Sequence, residues 1–120
     1  MADFTIKQND TRPYFAVTFD ECGTVVSLVG ATVFFNMRPV LGGSLKIDAR
    51  PCVVTGAATG KAEYRWAVGD TDTVGKFDSE FEIHLAGGGI MTAPAIGYLI
   101  VEIVEELGSA TTTAPPTTTP

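Results

Sequence analysis

One histidine, two cysteines and eight basic residues are few for a chain of 120, and no apolar run approaches membrane-spanning length. Each scarcity removes a class of function. A single histidine, His84, cannot build a zinc site unless cysteines and carboxylates join it, and Cys22 and Cys52 show no metal-ligand spacing. His84 falls between Ile83 and Leu85 on the polar parity of a strand, so an exposed strand histidine is expected. A small secreted domain held by disulfides carries more cysteines than this, so both thiols are expected free, in a protein made in a reducing cytoplasm. The Lys and Arg residues are scattered and the net charge is −6, which leaves no basic face to displace counterions from a nucleic acid. A spanning helix needs about 18 consecutive apolar residues, and none are present. The first ten residues lack the basic and then apolar segments of a secretory signal.

The chemistry-bearing motifs are equally sparse. No nucleophile motif surrounds Cys22, and Gly43-Ser44 is not a nucleophile elbow. Gly87-Gly88-Gly89 lacks the Lys-Ser/Thr pair and helix of a phosphate loop and reads as a hairpin turn. Asp70-Thr71-Asp72 is too short for a calcium loop, and its side-chain oxygens are expected to cap one helical turn or close an Asx-type turn. No catalytic, metal-binding or cofactor-binding residue, and no enzyme activity, is expected.

What the chain does have is alternation. In residues 61–67, Ala62, Tyr64 and Trp66 share one side, with Lys61, Glu63 and Arg65 opposite. In residues 76–85, Phe77, Phe81, Ile83 and Leu85 oppose Asp78, Glu80, Glu82 and His84. Period two is the spacing of a strand with one face in a core. Further short strands are expected over 3–7, 14–20, 25–28, 31–37, 45–48, 52–54 and 98–104, separated by Gly-, Pro- and Asx-rich turns. About seven or eight short strands with frequent turns predict an all-β antiparallel sandwich. At most one helical turn fits, between Val68 and Val74. Trp66 and Phe81 are expected in the core. Tyr14, Phe34 and Ile100 are apolar side chains on the polar parity, which face a second layer of the domain or mark a contact with a neighbour.

Residues 1–107 therefore form one domain, and 108–120, GSATTTAPPTTTP, form an extended Thr/Pro-rich arm. Ordering ten such residues costs on the order of 10 kcal/mol. Several hundred Å² of new apolar contact offset that at about 25 cal/mol per Å². The domain alone does not supply such contact, so the arm is expected against another chain. Thr111, Thr112, Thr113, Pro115, Pro116, Thr117 and Pro120 are the expected interface residues.

The order of several segments resembles the N-terminal domain of phage baseplate upper proteins and related phage tail proteins. The segments are Asp3-Phe4-Thr5-Ile6-Lys7-Gln8-Asn9-Asp10-Thr11-Arg12-Pro13, Val29 to Arg38, Thr59 to Trp66, Gly69 to Thr73, Gly75 to Ile83, and Gly97 to Ile103. The resemblance spans residues 3 to about 105. It implies an immunoglobulin-like sandwich that serves as a virion building block, without catalytic residues or cofactor. The implied partners are other phage structural proteins and copies of the chain itself, with no nucleic acid and no membrane. The implied location is the virion, assembled in the host cytoplasm, at the tail, baseplate, neck or capsid surface. The chain departs from the family by ending in a Thr-Pro arm with no fibre or receptor-binding domain, which suits a small accessory subunit. The alternative is a capsid decoration or adhesin-type module that binds a host-surface glycan, with Tyr14, Tyr98 and Phe34 as the candidate aromatics.

Overall fold

The longest alternating segments become strands whose apolar parity faces inward: Val33, Phe35 and Met37 in one, and Phe77, Phe81 and Ile83 in another, are buried. The computed structural model describes residues 2–107 and is all-β and sandwich-like. Its strands are β1 (Phe4–Lys7), β2 (Phe15–Thr18), β3 (Asp20–Glu21), β4 (Thr24–Val25), β5 (Thr32–Pro39), β6 (Ile47–Pro51), β7 (Val53–Gly56), β8 (Lys61–Tyr64), β9 (Gly75–His84), β10 (Ile90–Ala93) and β11 (Leu99–Val104). Eleven described strands stand against the seven or eight expected: the 14–20 segment breaks at Phe19 into β2 and β3, the strand expected over 25–28 shrinks to the two residues of β4, and β10 is a strand that was not expected.

The ten-residue β9 is the spine of the larger sheet, whose order is β1-β11-β9-β5-β6. β5 runs antiparallel along one whole side of it, from Thr32 opposite His84 to Pro39 opposite Phe77. Two strands share the other side. β11 pairs with the Gly75–Ser79 half, and β10 pairs with the half from Phe81 to His84. β1 then joins β11 in parallel, Phe4 opposite Val101 through Lys7 opposite Val104. This parallel pair departs from the expected antiparallel pattern. The smaller sheet has the order β2-β8-β7, and β3 and β4 form a separate hairpin. That hairpin turns at Cys22-Gly23, with φ of 52° and 85°. Two successive positive φ values are the signature of the tight turn whose twist matches antiparallel strands.

Phe35 of β5 sits at the centre of the core. Its ring stacks on Tyr64 of β8 at 4.5 Å between centroids and lies 5.0 Å from Phe81 of β9. Phe15 of β2 meets Phe35 and Phe81 edge-on, and Phe4 of β1 stacks on Phe15 at 4.7 Å. These contacts clamp the two sheets together, and offset and edge-on aromatic pairs add about 0.5–1.5 kcal/mol each beyond their buried area. Trp66 and Phe81 are buried as expected, although β8 ends at Tyr64 and Trp66 lies just past it. The Trp66 indole N–H donates to the Pro13 carbonyl at 3.1 Å, which holds the ring inward without a ladder.

Residues 68–74 do not form a helical turn; the 3-10 turn among the described residues is at Ala57–Thr59. It closes with Gly60 at φ 69°, where a Cβ would sit 2.7 Å from the Val26 carbonyl and 2.9 Å from that of Phe19. Only glycine fits that approach.

Candidate functional site

The buried polar side chains are spent on the fold. Asp70 is 5% exposed and accepts hydrogen bonds from the Tyr64 hydroxyl at 2.6 Å and the Ala67 N–H at 2.7 Å. Arg50 of β6 approaches it at 3.6 Å. Burial, then the Asp70 carboxylate, push the Tyr64 hydroxyl well above the ordinary phenol range. Asp70 thus ties a turn from behind, through an N–H three residues earlier, and caps no helix. Thr71 donates to the Asp10 carbonyl at 2.7 Å, and Ser79 donates to that of Leu99 at 3.0 Å. Asp72 does not converge with Asp70 on a cation; it takes the Lys46 ammonium at 2.6 Å. Among the described residues no group of three His, Cys, Asp or Glu is placed to hold a metal ion, and no helix is long and apolar enough to cross a membrane.

The candidate aromatics are divided between surfaces. Tyr98 and Phe34 lie on the outer parity of the larger sheet. Arg38 covers the Tyr98 ring at 5.2 Å and reaches Asp78 at 3.8 Å. With Asn36, Leu45 and Glu80 they line a shallow groove of about 100 Å³. Phe34 meets His84 edge-on at 5.1 Å, and His84 lies 3.5 Å from Glu82. His84 is therefore partly covered, with 43% of its side chain exposed. Tyr14 immediately precedes β2 of the other sheet, and Arg12 and Arg65 each lie 5.0 Å from its ring. Tyr14, Phe34 and Ile100 are half-buried. For Phe34 and Tyr14 that cover includes side chains of their own surface.

Both cysteines are free thiols. Cys52 lies between β6 and β7, and burial pushes its thiol up to about 12. Cys22 is exposed at the β3–β4 turn.

One apolar concavity was not anticipated. It is an open slot of about 610 Å³ between the two sheets, on the flank where β2 and β10 are edge strands. Phe19, Phe81, Met91 and Leu99 form its apolar floor, Pro94 and Ala95 one wall, and Asp20, Glu21 and Cys22 its rim. β1 extends the sheet beside β11, but among the described residues no strand pairs with the outer edge of β10. The sequence signal was the alternation Ile90-Met91-Thr92-Ala93 between three glycines and a proline. A second apolar hollow of about 380 Å³ lies at the other end of the sheet, beside Val40, Leu41 and Val74. The expected interface residues Thr111, Thr112, Thr113, Pro115, Pro116, Thr117 and Pro120 lie outside the described residues. No family model, curated protein or solved structure matches the chain.

Proposed function

We propose that the chain is a non-enzymatic structural subunit of a bacteriophage particle, placed at the tail, baseplate, neck or capsid surface. Its sandwich, of immunoglobulin-like type, and its C-terminal arm at 108–120 hold it to other phage structural proteins and to copies of itself. The virion is its location, after assembly in the host cytoplasm. The resemblance of residues 3 to about 105 to phage baseplate proteins motivates the reading. The observation that carries it is a tightly clamped aromatic core beside a sheet edge, that of β10, with which no described strand pairs. Such an edge offers backbone donors and acceptors to a neighbouring chain. The test is mass spectrometry and antibody labelling of purified particles from a host that produces both the full chain and a 1–107 form. The expected result is ordered labelling with the full chain and depletion of the short one. Particles lacking the full chain overturn the reading.

The groove at Tyr98 favours a second reading, a module that binds a host-surface glycan. An aromatic face beside Arg38, Asp78, Glu80 and Asn36 offers a stacking surface with polar partners for hydroxyls. Retention of the chain on host envelopes, abolished by Tyr98→Ala, is the outcome this reading requires.

A further inference from the structure

From the slot and the edge beside it, we infer that the flank between β2 and β10 receives the C-terminal arm of a second copy as an added strand. The inference takes its occupant from the proposed assembly role. The site itself rests on topology. β10 and β11 occupy successive stretches of the same side of β9, and β1 pairs only with β11. Among the described residues no strand therefore continues the line of β1 beside β10, and that edge opens onto the slot. Four residues of β10 present about 13 Å of edge, and a Thr triplet extends about 10 Å. The arm holds two such triplets, 111–113 and 117–119, separated by Ala114-Pro115-Pro116. Threonine is β-branched and suits a strand, while the two prolines cannot donate to a ladder and so delimit the paired stretch.

Charge selects the arm over other surfaces of the same chain. The rim carries Asp20 and Glu21, and the chain as a whole carries −6. Residues 108–120 contain no charged side chain, so they approach the rim without like-charge repulsion. Geometry selects a second copy. β11 delivers the chain at the Gly75 end of the sheet, where Ile103 opposes Gly75, whereas the slot lies beside the Phe81 to His84 half. The described chain ends away from its own slot, so an arm of the same copy would have to turn back along β11 to reach it, whereas an arm from a second copy enters directly. Thirteen residues reach about 40 Å, enough to enter a neighbour.

Cys22 on the rim is a built-in reporter. Full chains carrying Thr112→Cys with Cys22→Ser are mixed at high concentration with tagged full chains that retain Cys22, and a short bismaleimide is added at neutral pH. The expected product is a mixed dimer that disappears when the tagged partner carries Cys22→Ser. Adding Thr111→Pro, Thr113→Pro, Thr117→Pro and Thr119→Pro to the arm removes two of the three donors in each triplet without touching the domain, and should lower the yield about tenfold or more. No mixed dimer, or a yield unchanged by the prolines, overturns the inference. A chain with both thiols that closes only on itself overturns the second-copy assignment. If the cross-link is absent while deletion of 108–120 still prevents incorporation into particles, the docking site fails and the assembly reading stands. If the cross-link forms but particles lack the chain, the assembly reading fails and the docking site stands.

Discussion

The two flanks of the sandwich are built differently. On the sealed flank the chain itself crosses between sheets, from β6 through Cys52 into β7, and the Cys52 N–H donates to the Val33 carbonyl at 2.8 Å. The buried Asp70 and Tyr64 reinforce that side, with the exposed Arg50 guanidinium reaching in to Asp70. On the open flank no described segment bridges β2 and β10, and Met91 and Leu99 are only half-buried above a 610 Å³ slot. The contrast separates two roles. One flank closes the core by covalent chain and hydrogen bonds, and the other leaves apolar floor and backbone groups which, on the proposed assembly role, a neighbour would cover.

The sharpest way to break this comparison is to truncate one side chain in the shared core and one on the open flank. Trp66→Ala should cost about 3–5 kcal/mol in chemical denaturation. Met91→Ala should cost about 1 kcal/mol, because much of its surface is already wet. Equal costs would erase the distinction. On the sealed flank, Tyr64→Phe leaves the buried Asp70 without its shortest donor and should cost about 1–3 kcal/mol.

Alkaline titration probes the same flank. The Cys52 thiol and the Tyr64 hydroxyl both bind their protons more tightly in the folded state. Their contribution is fully present below the unfolded values, near 9.0 for Cys52 and 10.0 for Tyr64, and is lost as pH rises towards the folded ones. Unfolding midpoints should therefore fall above pH 9, by on the order of 1 kcal/mol in the first unit. Cys52→Ala should blunt the first part of that decline. A flat profile to pH 11 would contradict the assignment.

Two smaller effects sharpen the picture. Ala49 sits at φ 50° in an irregular stretch of β6, where its N–H donates to the Asn36 side chain at 2.7 Å. Ala49→Gly should stabilise by about 0.5–1 kcal/mol, read as a higher thermal midpoint. The Lys46 hydrogen bond, with help from Thr73, holds the Asp72 carboxyl below the usual carboxylate range. That stabilisation is present above the ordinary carboxylate value and is lost as pH falls through the lower folded one. Lys46→Met should cost less than about 1 kcal/mol at neutral pH and flatten the acid limb of the stability curve.

The parts legible in sequence were those that depend on one strand at a time. Period two in Phe77, Phe81 and Ile83, and in Tyr64 and Trp66, identified the buried faces, because a side chain's face is fixed by its own backbone. Pairing is a property of strands distant in sequence. The parallel meeting of β1 with β11 follows from tertiary closure, and nothing in Phe4-Thr5-Ile6-Lys7 encodes its direction. The same limit hid the slot, since an edge is defined by what is missing beside it. Asp70 misled for a local reason. Its position suits a helix cap, but the carboxylate is drawn backwards to Ala67 and inward to Tyr64, where burial makes each bond count for more.

Amide hydrogen exchange along Ile90–Ala93, followed in the full chain from dilute to concentrated solution, tests the central claim most directly. The account predicts that these edge amides gain protection as concentration rises, while the β5 and β9 amides stay slow throughout. Protection of β10 that is independent of concentration, or already equal to that of β9 at high dilution, would contradict it.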